Sequence, residues 1–219
     1  SAVSLSNDYE SLMQEPWVHS GMRLKLQQIN EMLEGLDDST SVSITSADQL
    51  TRELFTYRGA GTLVRKGEGI ECLEQPNAEV LEDVARRVEA SFGRSLKPGW
   101  VESLVDPVVL LSESRRAAAV IVRGEEGLPY LEKFIVTPEA QGEGLGAAMW
   151  QVLRARHPEL YWRSRNSNPI TPWYFLQADS CERHGPWVVF TNGITDPALR
   201  NRVVEEAMSR DPGWVEDAS

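Results

Sequence analysis

The run FIVTPEAQGEGLGAAMWQVLRARH, residues 134–157, constrains the fold more than any other stretch of the chain. A short apolar run leads into three glycines within six positions. The residues that follow repeat with helical spacing, Leu145, Met149, Val152 and Leu153 sharing a face until Pro158 ends the pattern. A strand must therefore turn directly into a helix. The first turn of a helix leaves about four backbone N–H groups without intrahelical partners and carries roughly half a positive charge. Glycines there let an anion reach those donors with no Cβ in the way, so the loop is a candidate phosphate cradle. The plain alternative is a tight turn whose glycines only satisfy positive φ.

The surrounding pattern decides the setting of this loop. VVLLSES and AAAVIVR read as strands, and EEGLPYLEKFIV adds a third after a turn at GEEG. LYWRSR and WVVFTNG read as later strands, and AEVLEDVARRVEASFG, TPWYFLQ and DPALRNRVVEEAMSR as helices, the first with Val80, Leu81, Val84, Val88 and Phe92 inward. The strands before the loop follow one another through turns and so read antiparallel. The fold class expected is mixed α/β (α+β in character) with a mostly antiparallel sheet, not a doubly wound one. Upstream, GMRLKLQQINEMLEGL is helical, SVSIT alternates like a strand, SADQLTRELF reads as a short capped helix, and GAGTLVRKGEG turns away through glycines. The division expected is residues 1–66 as one unit with its linker and 67–219 as a second.

Three phosphate ligands compete for the loop. A P-loop needs Lys followed by Ser or Thr at its end, where this chain has Ala147 and Ala148. Gly142, Gly144 and Ala147 fit G-x-G-x-x-G/A, but a dinucleotide fold places that loop after the first strand of a parallel sheet and an acid about 20 residues on. The third reading uses the whole spacing Gln141-x-x-Gly144-x-Gly146 after Phe134-Ile135-Val136. It resembles the Gln/Arg-x-x-Gly-x-Gly/Ala signature of GCN5-related N-acetyltransferases, and the resemblance implies that fold, with acetyl-CoA as acetyl donor. The coenzyme-binding residues it implies are Ile135, Val136, Gln141, Gly142, Gly144, Leu145, Gly146 and Ala147. The N–H of Val136 would meet the thioester oxygen.

Charge narrows the acceptor. The formal net charge of -11 disfavours nucleic acid and anionic membrane as partners. Within this acidic chain Arg163 and Arg165 stand two apart on a predicted strand, so both guanidinium groups leave one face, and Lys133 near the end of its own strand could project toward the same cleft. Residue by residue, surface ion pairs would account for them. Gathered beside an acyl-donor loop, they point to an acceptor that carries carboxylates, which arginine grips bidentately. Cys72 and Cys181 show neither metal-ligand spacing nor a disulfide framework, so no metal is expected and a reducing compartment, the cytoplasm, is. No apolar run approaches the roughly 20 residues of a membrane span. The chain begins without Met, as a processed chain or a piece of a longer one would.

The longer run YLEKFIVTPEAQGEGLG, then LYWRSRNSNPITPWYFLQADS and WVVFTNG, with ASFGRSL and AAAVIV upstream, is similar to the C-terminal acetyltransferase domain of vertebrate-type N-acetylglutamate synthases and of bacterial bifunctional N-acetylglutamate synthase/kinases. The similarity extends over about residues 67–195. It implies transfer of acetyl to the α-amine of L-glutamate, giving N-acetyl-L-glutamate, in the first step of arginine biosynthesis. It implies Lys133, Arg163, Arg165 and Asn168 around the glutamate, Tyr174 beside the coenzyme sulfur, and Arg94 as a further cation where some relatives carry Lys. GMRLKLQQINEMLEG through ELFTYRGAGTLVRKGE resembles the end of an amino-acid kinase domain, which implies a parent protein that is homo-oligomeric through the absent kinase part.

The chemistry expected is direct attack by the amine within a ternary complex. The cations orient the acceptor, the Val136 N–H polarises the thioester, Tyr174 protonates the leaving sulfur, and water held by Asn168 is the candidate base. Glu132 is expected to alternate away from Lys133 onto the other face of the strand. Cys181 and His184 raise a ping-pong route through an acetyl-thiol, disfavoured because ADSCERHG reads as a polar loop with nothing to orient the histidine. Two other function classes stay open: an amino-acid-binding regulator of an attached kinase, and an acetyltransferase acting on protein amines.

Overall fold

In the computed structural model, which describes residues 2–36, 40–49 and 62–215, the chain forms two sheets of three and seven strands. The smaller consists of β1 (Ala2–Ser4), β2 (Ser41–Ile44) and β3 (Thr62–Arg65) in the order β1-β3-β2. It packs under α1 (Leu5–Gln14) and α2 (Ser20–Glu34) around Leu5, Ile29, Leu33 and Val64. Two expectations are corrected here. TLVR, read as part of a glycine turn, is the central strand of this sheet, because β1 and β2 both find their hydrogen bonds on it. SADQLTRELF yields a 3-10 turn at Ala47–Gln49, and the remainder of that run lies outside the described residues.

The larger sheet runs β4-β5-β6-β7-β8-β10-β9. Its strands are β4 (Ile70–Leu73), β5 (Val108–Ser112), β6 (Ala117–Arg123), β7 (Pro129–Val136), β8 (Leu160–Arg165), β9 (Ser180–His184) and β10 (Trp187–Asn192). Every neighbouring pair is antiparallel except β7 with β8, which is parallel. The mixed α/β, mostly antiparallel class read from the sequence is the one observed. β4 was not anticipated, since IECL is too short to announce itself, and SCERH, expected to be a loop, pairs along β10 as an edge strand.

Both faces of the sheet are covered, which is why β5 and β6 read as unbroken apolar runs instead of alternating. On one face α3 (Ala78–Phe92) and α6 (Pro197–Ser209) pack Leu81, Val84, Val88, Val203, Val204 and Ala207 against Ala118, Val120 and Val122 of β6. On the other, α4 (Leu145–Arg156) and α5 (Thr171–Gln177) pack Leu145, Met149, Leu153 and Tyr174 against Ala117, Ala119 and Ile121. Phe92, expected inward, lies at the C-terminal end of α3 with 39% of its surface exposed. The helix ends follow their local chemistry. Asn77 caps α3 through the Val80 N–H and Gly93 closes it with φ 62°, while Asp196 accepts from Ala198 and Leu199 ahead of Pro197 in the first turn of α6.

The second core is dominated by rings. Trp162, 1% exposed, stacks on Phe190 with centroids 5.3 Å apart and meets Trp150 edge-on at 5.1 Å. Removing so large a buried ring costs roughly 3–5 kcal/mol, so this cluster fixes β8 and α4 relative to each other.

Candidate active site

The site is created where the one parallel pair fails. β7 and β8 share a single register pair, Tyr130 with Tyr161, at the N-terminal end of both strands. Past it toward Val136 and Arg165 no further pair forms among the described residues, so the strands part and the sheet opens a slot. Two features hold the seam. The two tyrosine rings meet edge-on at 5.1 Å, and the Tyr161 hydroxyl accepts from the Glu125 N–H at 2.8 Å and donates to Glu206 at 2.7 Å. Burial, and then the hydrogen bond to Glu206, push that phenol well above its ordinary range.

The glycine loop lies at the open end of the slot. Gly142 and Gly144 have φ of 88° and 87°, and α4 starts at Leu145 with no side chain capping it. The first intrahelical bond from this turn is Ala148 N–H to the Gly144 carbonyl at 3.0 Å, so the N–H groups of Leu145, Gly146 and Ala147 have no acceptor within the helix. Nothing stands within 4 Å of where a Gly142 Cβ would be, whereas a Cβ on Gly146 would meet the Val136 methyl Cγ2 at 3.2 Å. The first glycine leaves room for a ligand and the last lets the helix close on β7. An uncapped, positively polarised helix end beside an open concavity fits a pyrophosphate. Two arginines flank it: Arg116 holds Glu143, the one carboxylate of the loop, at 2.8 Å, and Arg65 of β3 donates to the Glu143 carbonyl. Of the residues expected here, Gln141, Gly142, Gly144 and Ala147 are exposed on the loop, Leu145 and Ile135 are buried in the two cores, and Val136 and Gly146 are half-buried between.

On the α3–α6 face of the slot the expectation for Glu132 is overturned. Lys133 pairs with Val120, and Leu131 with Ile121, so Glu132 is an extra residue, a bulge, in β7. The bulge cancels the alternation at this point. Glu132 and Lys133 leave the strand on one side, their Oε1 and Nζ 2.5 Å apart with side chains 10% and 6% exposed. The second carboxylate oxygen lies 3.9 Å from Arg210, whose guanidinium is held by Glu206 at 2.6 Å and stacks on Tyr130 at 4.1 Å. A cavity of about 310 Å³ opens beside Glu132, between Trp100, Arg123, Arg210 and Asp211.

Arg163 leaves β8 on the same face, and donates to the carbonyls of Met208 and Arg210 at 3.3 and 2.5 Å. Arg163 and Arg165 both lie over Trp187, at 4.3 and 4.8 Å from its ring centre, in keeping with their two-residue spacing. Arg165 is exposed at the strand end. Arg94 reaches the same region from the end of α3, stacked on Trp214 at 5.4 Å. Asn168 sits in the turn after β8, where its Oδ1 accepts from the Ile170 N–H at 3.3 Å and its own N–H donates to Arg165. Tyr174 lies across the sheet from these cations, on the same face as α4, 5% exposed among Trp150, Trp162, Trp173 and Phe190. Burial in that cage pushes its pKa above the ordinary phenol value.

Glu132, Arg210, Trp100, Trp214 and Arg116 escaped sequence reasoning. For Glu132 no signal existed, because period-two alternation assigns it to the wrong face. Trp100 and Trp214 each follow Pro-Gly, a turn signal that places a chain reversal but not its destination.

Antiparallel strands, a parted parallel pair and a bare helix end in the gap define a GCN5-related N-acetyltransferase fold. The family model described as NAT, N-acetyltransferase, of N-acetylglutamate synthase matches residues 70–210, and the chain belongs to that family. An acetylglutamate kinase of Xanthomonas campestris pv. campestris is 38% identical over 96% of this chain and 50% of its own length. The mitochondrial N-acetylglutamate synthase of Danio rerio is 34% identical over 94% of this chain and 40% of its own. The N-acetylglutamate synthase of Neisseria gonorrhoeae, solved with coenzyme A and N-acetyl-glutamate, aligns with 88% of this chain and 51% of that one at 18% identity and TM-score 0.49. The chain spans about half the length of the curated relatives it matches.

Proposed function

We propose that this chain transfers the acetyl group of acetyl-CoA to the α-amine of L-glutamate, releasing N-acetyl-L-glutamate and coenzyme A. The observation that carries this reading is the distribution of charge across the slot. One face offers the N–H groups of an uncapped helix end to an anionic coenzyme, and the other carries Lys133, paired with the carboxylate of Glu132, and the two arginines Arg163 and Arg165 together over Trp187. Three cations and one anion complement an acceptor with two carboxylates and an ammonium. Asn168 and Arg94 border the same region, and Asn168 closes a turn there as well.

Coenzyme A supplies an acetyl thioester. The loop residues Gln141, Gly142, Gly144, Leu145, Gly146 and Ala147 hold its phosphates, and the backbone of Ile135 and Val136, on the side of β7 that β8 leaves unpaired, meets its arm along the slot. On the other side the two carboxylates anchor to Lys133, Arg163 and Arg165, which fixes the amine by positioning. Glu132 receives the ammonium and takes its proton, directly or through one water, in place of the base first sought at Asn168. The Val136 N–H is the donor for oxygen charge. Tyr174, kept protonated by burial, donates to the departing sulfur.

We further read residues 1–66 as the C-terminal portion of an amino-acid kinase domain, through which the parent protein assembles, and place it in the cytoplasm. Both cysteines are free thiols, which suits a reducing compartment, and among the described residues no helix is long and apolar enough to cross a membrane. Incubating the chain with acetyl-CoA and a panel of amino acids, while following free thiol, tests the activity. Thiol release with glutamate and not aspartate is expected; coenzyme binding without release for any amine would overturn it in favour of a regulatory role. Cys181→Ala is expected to leave the rate unchanged, since Cys181 is exposed on edge strand β9.

A further inference from the structure

The segment after α6 runs back over the acceptor face. Lys133 Nζ donates to the Pro212 carbonyl at 3.4 Å, and the carbonyls that Arg163 holds, Met208 and Arg210, belong to the last turn of α6 and the residue after it. From there the segment is stapled to the loop that follows α3. Lys97 N–H donates to the Gly213 carbonyl at 2.9 Å, the Val215 N–H to Ser95 at 2.9 Å, and Asp211 meets the Lys97 ammonium at 2.5 Å. Gly213 has φ 76°, and a Cβ there would stand 2.7 Å from Trp100 Cδ1, so only glycine lets the chain lie flat on that indole.

This path delivers Trp214 to Lys133. The ammonium sits 5.3 Å from the Trp214 ring centre and 5.4 Å from that of Trp100, within cation–π range of both. A lysine carries four rotatable bonds and, left free, reaches carboxylates over a range of distances. Held between two rings and against Glu132, this one presents its charge at a single depth.

We propose that Trp214 is a positioning residue that sets acceptor chain length: it fixes Lys133 so that a dicarboxylic amino acid of one particular length spans the gap to the arginines and shorter homologues do not. The inference rests on the acceptor reading above and goes beyond it by naming what discriminates glutamate from aspartate. The discrimination acts through Lys133. With Trp214 removed the ammonium swings, and the shorter acid finds it.

The test compares Trp214→Ala, Trp214→Phe and the unchanged chain, each shown by thermal melting to be folded, in thiol release with glutamate and with aspartate. In Trp214→Ala the ratio of kcat/KM for glutamate over aspartate is expected to fall at least about tenfold, the scale of discrimination by one methylene, while KM for acetyl-CoA stays the same. Trp214→Phe, which keeps an aromatic face, restores most of the ratio. An unchanged ratio in Trp214→Ala, or a phenylalanine variant as permissive as the alanine one, overturns the proposal. Equilibrium binding of the two amino acids reads the same ratio independently of turnover. A chain that binds glutamate selectively but releases no thiol therefore refutes the acetyltransferase reading and still decides this one. A chain that binds neither refutes both.

Discussion

Glu132 and Lys133 are neighbours in the chain and also across the site, Oε1 and Nζ standing 2.5 Å apart on one side of a strand that should send them to opposite sides. The extra residue in β7 is responsible. Glu132→Gln keeps the shape and removes the charge. We expect turnover to fall by about a hundredfold or more and acetyl-CoA binding to be unchanged. A rate within threefold of the parent at every pH would remove Glu132 from the chemistry.

Arg163 offers two nitrogens, both now on backbone carbonyls. A carboxylate carries full charge and displaces a carbonyl from a guanidinium. Arg163→Lys retains the charge but loses the fork, so KM for glutamate should rise about tenfold to a hundredfold with a smaller change in kcat. Steady-state kinetics in glutamate at saturating acetyl-CoA decides, and an unaltered KM counts against carboxylate binding at this residue.

Tyr174 is caged by four aromatic rings. Its raised pKa keeps the proton on the phenol through neutral pH and beyond. Tyr174→Phe preserves the cage and deletes only the hydroxyl. It should lower kcat about tenfold or more with little effect on KM for glutamate, and no alkaline limb below about pH 10 should trace to this residue. Equal kcat in the two proteins would exclude the acid role.

Gly142 has space for a Cβ but a φ of 88° that alanine disfavours by about 1–2 kcal/mol. Gly142→Ala is expected to relieve that strain by turning the loop, raising the Kd for coenzyme A about fivefold or more while the thermal midpoint falls by a few degrees. Calorimetric titration measures the first and a melt the second. An unchanged Kd would show that the conformation of the loop is not what binds.

Asp83 on α3 gathers Arg87, Arg115 and Arg86, and these hydrogen bonds, Arg87 foremost, hold its carboxyl down at about 2. Because the folded value is depressed, the stabilisation is complete above the unfolded value near 3.9 and is lost as pH falls toward 2. Asp83→Asn should therefore flatten the dependence of the melting temperature on pH between about 4 and 2 and leave it parallel above. A parallel curve across the whole range would show that the cluster adds nothing to stability.

What the sequence discloses divides along the range of the interactions concerned. The strand, loop and helix around QGEGLG are local, and Gly142, Gly144 and Leu145 stand as their spacing required. The pairing of Arg163 with Arg165 on one face follows from β periodicity and is observed over Trp187. Glu132 was misplaced because a bulge depends on two strands fitting each other, which no period within one strand records. Arg210 and Trp214 were invisible for a related reason: they approach Glu132 and Lys133 only after the chain has passed through three more strands and three helices. SCERH went unread as a strand because an edge position tolerates the polar residues that otherwise argue for a loop.

The parting of β7 from β8 leaves a row of main-chain donors and acceptors in the interior of a sheet, with no strand to complete them. An exposed edge of this kind on the outside of a protein invites another polypeptide and with it aggregation. Here the edge lies inside the sheet, between β7 and β8 with α4 and α5 packed on one face, so the groups that pairing leaves over face the slot and not a neighbouring molecule. The fold thus turns a hazard of β architecture into the wall of a site.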